Sequence, residues 1–96
     1  MFKLKKSDYP SLFERGSGQF IKKDDAIKLV KYCIDENYLI VMCEGFIITK
    51  NYTIPIMDMI LDYNGINTVK EAANSTLQFL NTIDDDDLYF NIFANH

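Results

Sequence analysis

Residues 24–43 have the sequence DDAIKLVKYCIDENYLIVMC, in which an amphipathic helix leads directly into an apolar strand. Apolar residues recur at spacings of three and four, which predicts a helix that ends near Asn37. Asp24 and Asp25 lie where an N-cap and a first helical turn favour carboxylates. Residues 38–43 are apolar and rich in β-branched side chains, as is typical of a buried central strand. The apolar stripe of the helix consists of Ala26, Ile27, Val30, Cys33 and Ile34.

The segment that follows this strand has mixed signals. Glu44-Gly45 is expected to interrupt the strand, and residues 46–49 are expected to resume it. Pro55 cannot donate to a β-ladder, so the segment that ends at Pro55 is predicted to be an edge strand or a loop. Residues 56–63 fit a helical stripe, but Pro55 and Asn64-Gly65 limit any helix there to about two turns.

A second helix is predicted from Thr68 onwards, because Thr68 and Glu71 have the spacing of a capping box. Its apolar stripe extends to Ile83. The four consecutive aspartates that follow end the helix, because negative charge is unfavourable at a helix C-terminus. Residues 88–93 alternate well enough to predict a final strand. Four phenylalanines on these apolar runs are predicted to lie in the core, namely Phe46, Phe79, Phe90 and Phe93.

Together these elements predict an α+β fold. The expected architecture is a two-layer sandwich, with two main helices on one face of a largely antiparallel sheet of three to four strands. The 96 residues are enough for a single domain with one core. Residues 1–18 form a basic, polar lead segment, and the sequence leaves open whether this segment is ordered.

Charge is divided unevenly along the chain. Residues 1–23 carry six basic and two acidic side chains, whereas residues 24–96 carry four basic and twelve acidic ones, so a lead of +4 precedes a body of −8. An acidic surface of this kind is typical of a protein that binds a basic partner. It disfavours nucleic acid as a ligand, and no aromatic-and-basic RNA-recognition pattern accompanies it.

Catalysis is not expected from these residues. The only histidine is His96, the last residue, so the chain lacks the ordinary Ser-His or Cys-His pair. The aspartate run has neither the alternating acids nor the glycine of a calcium-binding loop, so no metal or other cofactor is predicted. Cys33 and Cys43 lie in apolar surroundings and are predicted to be reduced, buried thiols. No signal peptide or membrane span is predicted, and the expected location is cytoplasmic.

Three stretches of the chain resemble the small immunity proteins of bacterial polymorphic toxin systems, which include inhibitors of contact-dependent growth-inhibition toxins. The stretches are the helix and strand of residues 24–42, the strand and hairpin CEGFIITKNYTIPIMDMI of residues 43–60, and the helix and aromatic strand VKEAANSTLQFLNTIDDDDLYFNIF of residues 69–93. The resemblance implies a cytoplasmic inhibitor that binds one cognate toxin domain, often a nuclease, and occludes its active site or substrate-entry surface.

The residues expected to contact such a partner are acidic residues and tyrosines of this chain. The tyrosines are expected to be exposed anchors at an interface, although ordinary half-buried tyrosines fit the sequence equally well. Surface solubility explains the carboxylates as well as binding does. The predicted charged contacts are Glu44, Asp58, Asp62, Asp84, Asp85, Asp86 and Asp87, and the predicted anchors are Tyr52 and Tyr63.

Two other functions are compatible with the same sequence. A stand-alone interaction or regulatory module could form a homodimer by pairing edge strands, through residues 53–56 or through the C-terminal strand. A general nucleic-acid mimic could place its carboxylates in the basic grooves of several DNA-binding enzymes. The predicted partner in each case is a protein, and neither nucleic acid nor a membrane is expected as a partner.

Overall fold

The computed structural model describes residues 3–63 and 68–95. Along the chain its elements are the strands β1 (Phe13–Arg15) and β2 (Gly18–Lys22), the helix α1 (Lys23–Asp35), the strands β3 (Leu39–Ile48) and β4 (Thr53–Asp62), the helix α2 (Val69–Asn81) and the strand β5 (Tyr89–Asn95). The strands form an antiparallel sheet in the order β1-β2-β5-β3-β4. The helices pack against each other and against the central strands. The predicted α+β fold class is therefore confirmed, with five strands in the sheet instead of three to four.

Side chains of the central strands alternate between two faces of the sheet. In β5, Phe90, Ile92 and Ala94 are buried, whereas the residues between them are less buried. The buried face meets the apolar stripes of the two helices, and together they form one core. The opposite face, which carries Tyr89, Asn91 and Phe93 of β5, is called the outer face below. The fully buried helical residues that complete the core include Ala26, Val30, Cys33, Ala72, Ala73 and Leu80.

The ends of both helices follow local sequence signals. Asn37 adopts a left-handed φ of 60° after α1, and the N–H of Tyr38 donates to the carbonyl of Cys33 at 2.8 Å, which ends the helix where the sequence predicts. At the start of α2, the N–H of Glu71 donates to Thr68 Oγ1 at 3.2 Å, and the Thr68 hydroxyl donates to the Glu71 carboxylate at 3.0 Å. The predicted helix start at Thr68 is confirmed.

Two predictions for the middle of the chain are wrong. Glu44-Gly45 does not interrupt the strand, because β3 continues from Leu39 to Ile48. The helical stripe of residues 56–63 does not form a helix either, because β4 extends to Asp62. The physical reason is a large bulge: β4 places four residues, 56–59, opposite the single residue Gly45 of β3. This insertion breaks the alternation of β4 and imitates a helical period. The predicted turn at Asn64-Gly65 lies outside the described residues.

The N-terminal segment contains a hairpin that the sequence did not predict. Gly16 has a φ of 60° and lies in the turn between β1 and β2. Phe20 of β2 packs edge-to-face on Phe46 of β3, with ring centroids 4.9 Å apart, so the hairpin contacts the main sheet. Residues before the hairpin contribute to the core, since Leu4, Tyr9 and Leu12 are buried.

Candidate functional site

The strand register brings two of the predicted contact residues onto the outer face. Met42 of β3 lies between Phe93 of β5 and Asp62 of β4, and Glu44 lies between Asn91 of β5 and Ile60 of β4. These two rows are adjacent, because Met42 and Glu44 are two residues apart on one strand. The six residues, named the outer patch here, are Met42, Glu44, Ile60, Asp62, Asn91 and Phe93.

The outer patch combines exposed apolar side chains with carboxylates. Phe93 is 44% exposed and Ile60 is 38% exposed, although neither lies at a chain end or in a loop of the described structure. Glu44 is half-buried, and its carboxylate makes no hydrogen bond or ion pair with the residues in ranges 3–63 and 68–95. A half-buried carboxylate without a partner loses hydration and gains no compensating bond. The described residues therefore leave the charge of Glu44 without a compensating group.

A groove runs beside the outer patch. It has a volume of about 350 Å³ and separates the turn of the β1–β2 hairpin from the outer face of β5. The side-chain N–H₂ of Asn91 donates to the backbone carbonyl of Gln19 at 2.9 Å, which fixes the hairpin across β5. The Asn91 side-chain oxygen keeps its acceptor capacity. The groove is lined by Lys3, Glu14, Gly16, Ser17, Gln19, Asn91 and Phe93.

The bulge of β4 presents two more of the exposed residues. Met57 is 77% exposed, and Asp58 beside it is exposed as well. Met59 turns the other way and packs on Gly45: a Cβ atom added to Gly45 would lie 3.0 Å from the Met59 Cβ and 3.1 Å from its sulfur. Gly45 thus makes room for Met59, and the backbone of the bulge projects Met57 and Asp58 from the edge of the sheet.

The two predicted anchors differ in their surroundings. Tyr52, in the turn between β3 and β4, is 67% exposed as expected. Tyr63 is half-buried, so the expectation that it is exposed is wrong and the half-buried alternative holds. Thr76 Oγ1 donates to the carbonyl of Ala72 at 2.8 Å, so the Tyr63 hydroxyl 2.9 Å away must donate to Thr76. Burial raises the pKa of Tyr63. Tyr63 ties the end of β4 to α2.

The four consecutive aspartates, residues 84–87, form an exposed turn between α2 and β5. The N–H of Asp87 donates to Asp85 Oδ1 at 2.9 Å, and Lys23 Nζ donates to the carbonyl of Ile83 at 2.8 Å. Asp86 lines a shallow cleft with residues around the start of α1. None of the residues that line this cleft belongs to the outer patch, so the predicted acidic contacts are divided between two surfaces.

Four patch residues were not among the predicted contacts, namely Met42, Ile60, Asn91 and Phe93. Phe93 was predicted to be in the core together with Phe46, Phe79 and Phe90, but only Phe90 is fully buried, Phe46 and Phe79 are half-buried, and Phe93 is exposed. The alternation of residues 88–93 contained the signal, because a buried Phe90 places Phe93 on the opposite face.

Neither metal chemistry nor thiol chemistry has support in the described part of the chain. Within residues 3–63 and 68–95, no group of three or more His, Cys, Asp or Glu side chains is placed to hold a metal ion. The two cysteines are free and buried, as predicted. Burial raises the pKa of the Cys33 thiol to about 11 and that of Cys43 to about 12, so both are protonated and poor nucleophiles near neutral pH. His96 lies outside the described residues.

Among the described helices, none is long and apolar enough to cross a membrane. In comparisons with known proteins, no family model, no curated protein and no solved structure matches this chain.

Proposed function

We propose that this protein is an immunity protein that binds one cognate bacterial toxin domain and neutralises it by occluding its active site or substrate surface. The observation that carries the proposal is the outer patch, where the unpaired carboxylate of Glu44 lies beside the exposed side chains of Ile60 and Phe93. Aromatic and apolar residues surrounded by charged ones are the usual composition of a protein interface. The resemblance to small immunity proteins supports a toxin domain as the partner.

Electrostatics favours a basic toxin, and a nuclease is the most suitable class. Nuclease active sites attract phosphates with positive charge, and the protein carries a net charge of −4. Complementary charge accelerates association, whereas apolar anchors that are buried in the complex slow dissociation. Met57 in the β4 bulge and Tyr52 in the β3–β4 turn are further exposed side chains that can supply such anchors.

In this proposal the protein acts in the cytoplasm, has no catalytic activity of its own and needs no cofactor. Inhibition then depends only on binding, so one protein molecule inactivates one toxin molecule.

A second candidate is a self-associating module, which the exposed edge of β4 favours. Ile54 and Met57 are exposed on this strand, and within the described sheet β4 pairs only with β3. Pro55, the bulge and exposed Asp58 are features that oppose edge-to-edge pairing. We therefore place the homodimer second.

The proposal is tested with purified proteins. The C-terminal domain of any large secreted protein encoded beside this gene, once shown to be toxic alone, is mixed with the full chain. The molar mass of the product is measured by light scattering together with residual toxin activity. A one-to-one complex without activity is expected. A stable homodimer that ignores the toxin would support the self-associating module. Inhibition of several unrelated nucleases would identify a general nucleic-acid mimic.

A further inference from the structure

We propose that the outer patch binds an arginine-bearing extended segment of a protein partner, with the guanidinium between the Glu44 carboxylate and the side-chain oxygen of Asn91. The inference rests on the proposed function only for the identity of the partner. The chemistry of the contact follows from the patch itself.

The Glu44 carboxylate has no hydrogen-bond or ion-pair partner among the described residues. Its cross-strand neighbours on the outer face are Asn91 and Ile60, and neither can neutralise a carboxylate. The adjacent row contributes Asp62, another acid and not a cation. Lys3 lines the neighbouring groove but forms no ion pair with Glu44 in the described structure. A cation supplied by a partner is the group that compensates this half-buried charge.

Glu44 and Asn91 present two acceptor groups close together. Glu44 and Asn91 are directly paired residues of antiparallel strands, so their side chains stand next to each other on the outer face. One N–H of the Asn91 amide donates to the carbonyl of Gln19, which orients the side chain, and the amide oxygen remains an acceptor. A guanidinium has several N–H donors in a planar fork and can serve two adjacent acceptors at once, which a lysine ammonium does less well.

Apolar side chains lie beside these two acceptors on the outer face. Phe93 and Ile60 are exposed, and Met42 lies between Phe93 and Asp62. The aliphatic part of an arginine side chain packs on such a surface while its charged end reaches the carboxylate. A guanidinium can also stack on the ring of Phe93. A nucleic-acid strand does not fit the same surface, because its phosphates would be repelled by Glu44 and Asp62.

An extended segment fits better than a free amino acid because of the groove between the β1–β2 hairpin and β5. This groove is open, has a volume of about 350 Å³ and continues from Asn91 and Phe93 along Gln19 and Glu14. Its wall carries one carboxylate, Glu14, and one amine, Lys3. A strand or loop of the partner can therefore lie in the groove while one of its arginines occupies the patch.

The inference is tested without the toxin, using a capped hexapeptide of alternating arginine and valine as the probe. Amide chemical shifts of the full chain are followed by NMR during titration with this peptide, and shift changes are expected at Met42, Glu44, Asn91 and Phe93. Glu44→Gln is expected to raise the peptide Kd about fivefold or more. The matched control is Asp35→Asn, which removes one exposed carboxylate outside the patch and is expected to change Kd less than twofold. Phe93→Ser, with folding checked by circular dichroism, is expected to weaken binding as well.

Any of three results would overturn the inference: no binding at millimolar peptide, shift changes centred on residues 84–87, or equal losses for Glu44→Gln and Asp35→Asn. A capped peptide of alternating lysine and valine is expected to bind more weakly, and equal binding of the two peptides would refute the assignment of a guanidinium. If free arginine bound as tightly as the peptide, the proposal of an extended segment as the occupant would be refuted. A wild-type chain that binds the arginine peptide but not the toxin domain would count against the proposed function alone.

Discussion

Asp25 of α1 accepts two hydrogen bonds from Ser11, one from the backbone N–H at 2.8 Å and one from the hydroxyl. The Ser11 hydroxyl oxygen in turn accepts from the N–H of Lys22, the residue before the helix, at 2.9 Å. One carboxylate thus fastens the N-terminal segment to the start of α1. Asp25 also lies in the first helical turn, where negative charge is favourable.

Asp25→Asn should lower the free energy of unfolding by about 1–2 kcal/mol, because it weakens two charge-assisted hydrogen bonds to Ser11. Urea unfolding followed by circular dichroism measures the change. Asp24→Asn is the control: it removes the same charge from the same turn, but Asp24 is exposed, so a loss of only about 0.3–1 kcal/mol is expected. Equal losses for the two variants would show that the helix dipole, and not Ser11, explains the role of Asp25.

Gly45→Ala should destabilise the protein by about 1–3 kcal/mol, since the added methyl group would lie 3.0 Å from the Met59 Cβ. The cost should shrink in a Met59→Ala background, which keeps the Cβ but removes the sulfur that would lie 3.1 Å from the added methyl group. A double-mutant cycle by urea unfolding measures this coupling. Additive losses would contradict the packing of Met59 on Gly45.

Tyr63→Phe should lower the free energy of unfolding by about 0.5–1.5 kcal/mol, because it removes the hydrogen bond to Thr76. Thr76 keeps its bond to the carbonyl of Ala72, so no donor is left unsatisfied. Thermal or urea unfolding measures the effect. Tyr52→Phe is the control, since Tyr52 is mainly exposed, and it should leave stability nearly unchanged. A larger loss for Tyr52→Phe would contradict this placement.

Both thiols should resist modification in the folded protein, and stability should fall at alkaline pH. The pKa of Cys33 rises to about 11 and that of Cys43 to about 12 from an ordinary value of 9.0, so folding favours the neutral thiols. Their contribution is complete below about pH 9 and is lost as the pH rises through 11 and 12. Burial shifts the pKa of Tyr9 and Tyr63 in the same direction.

Labelling with an aromatic disulfide reagent at pH 8 measures the accessibility of the two thiols, and it should be slow in buffer and fast in urea. In a separate experiment, the midpoint of urea unfolding should decrease above pH 9. Rapid labelling of either cysteine in buffer would contradict its burial.

Local signals in the sequence predicted the parts of the fold that depend on local interactions. The helix and strand of residues 24–43 and the capping box of Thr68 and Glu71 are signals of this kind, because their partners lie within a few residues. The β4 bulge could not be predicted, since it depends on Met59 meeting Gly45, 14 residues earlier in the chain. The fastening of Ser11 by Asp25 is equally non-local.

The candidate site was predictable in its residue types but not in its grouping. The sequence selected Glu44 and Asp62 as acidic contacts, and the strand register is what places them on one face with Phe93 and Ile60. The aspartates of residues 84–87 are more conspicuous in the sequence, yet they lie on a separate turn. Cross-strand register follows from long-range pairing, which periodicity alone does not specify.

We propose that this protein protects a cell from one toxin by binding it. The most direct measurement is the growth of cells that express the C-terminal domain of any large secreted protein encoded beside this gene, shown to be toxic alone, with and without this chain. If the protein is an immunity protein, growth is restored and the two proteins co-purify in a one-to-one ratio. Growth arrest in the presence of the well-expressed chain, with no complex recovered, would contradict it.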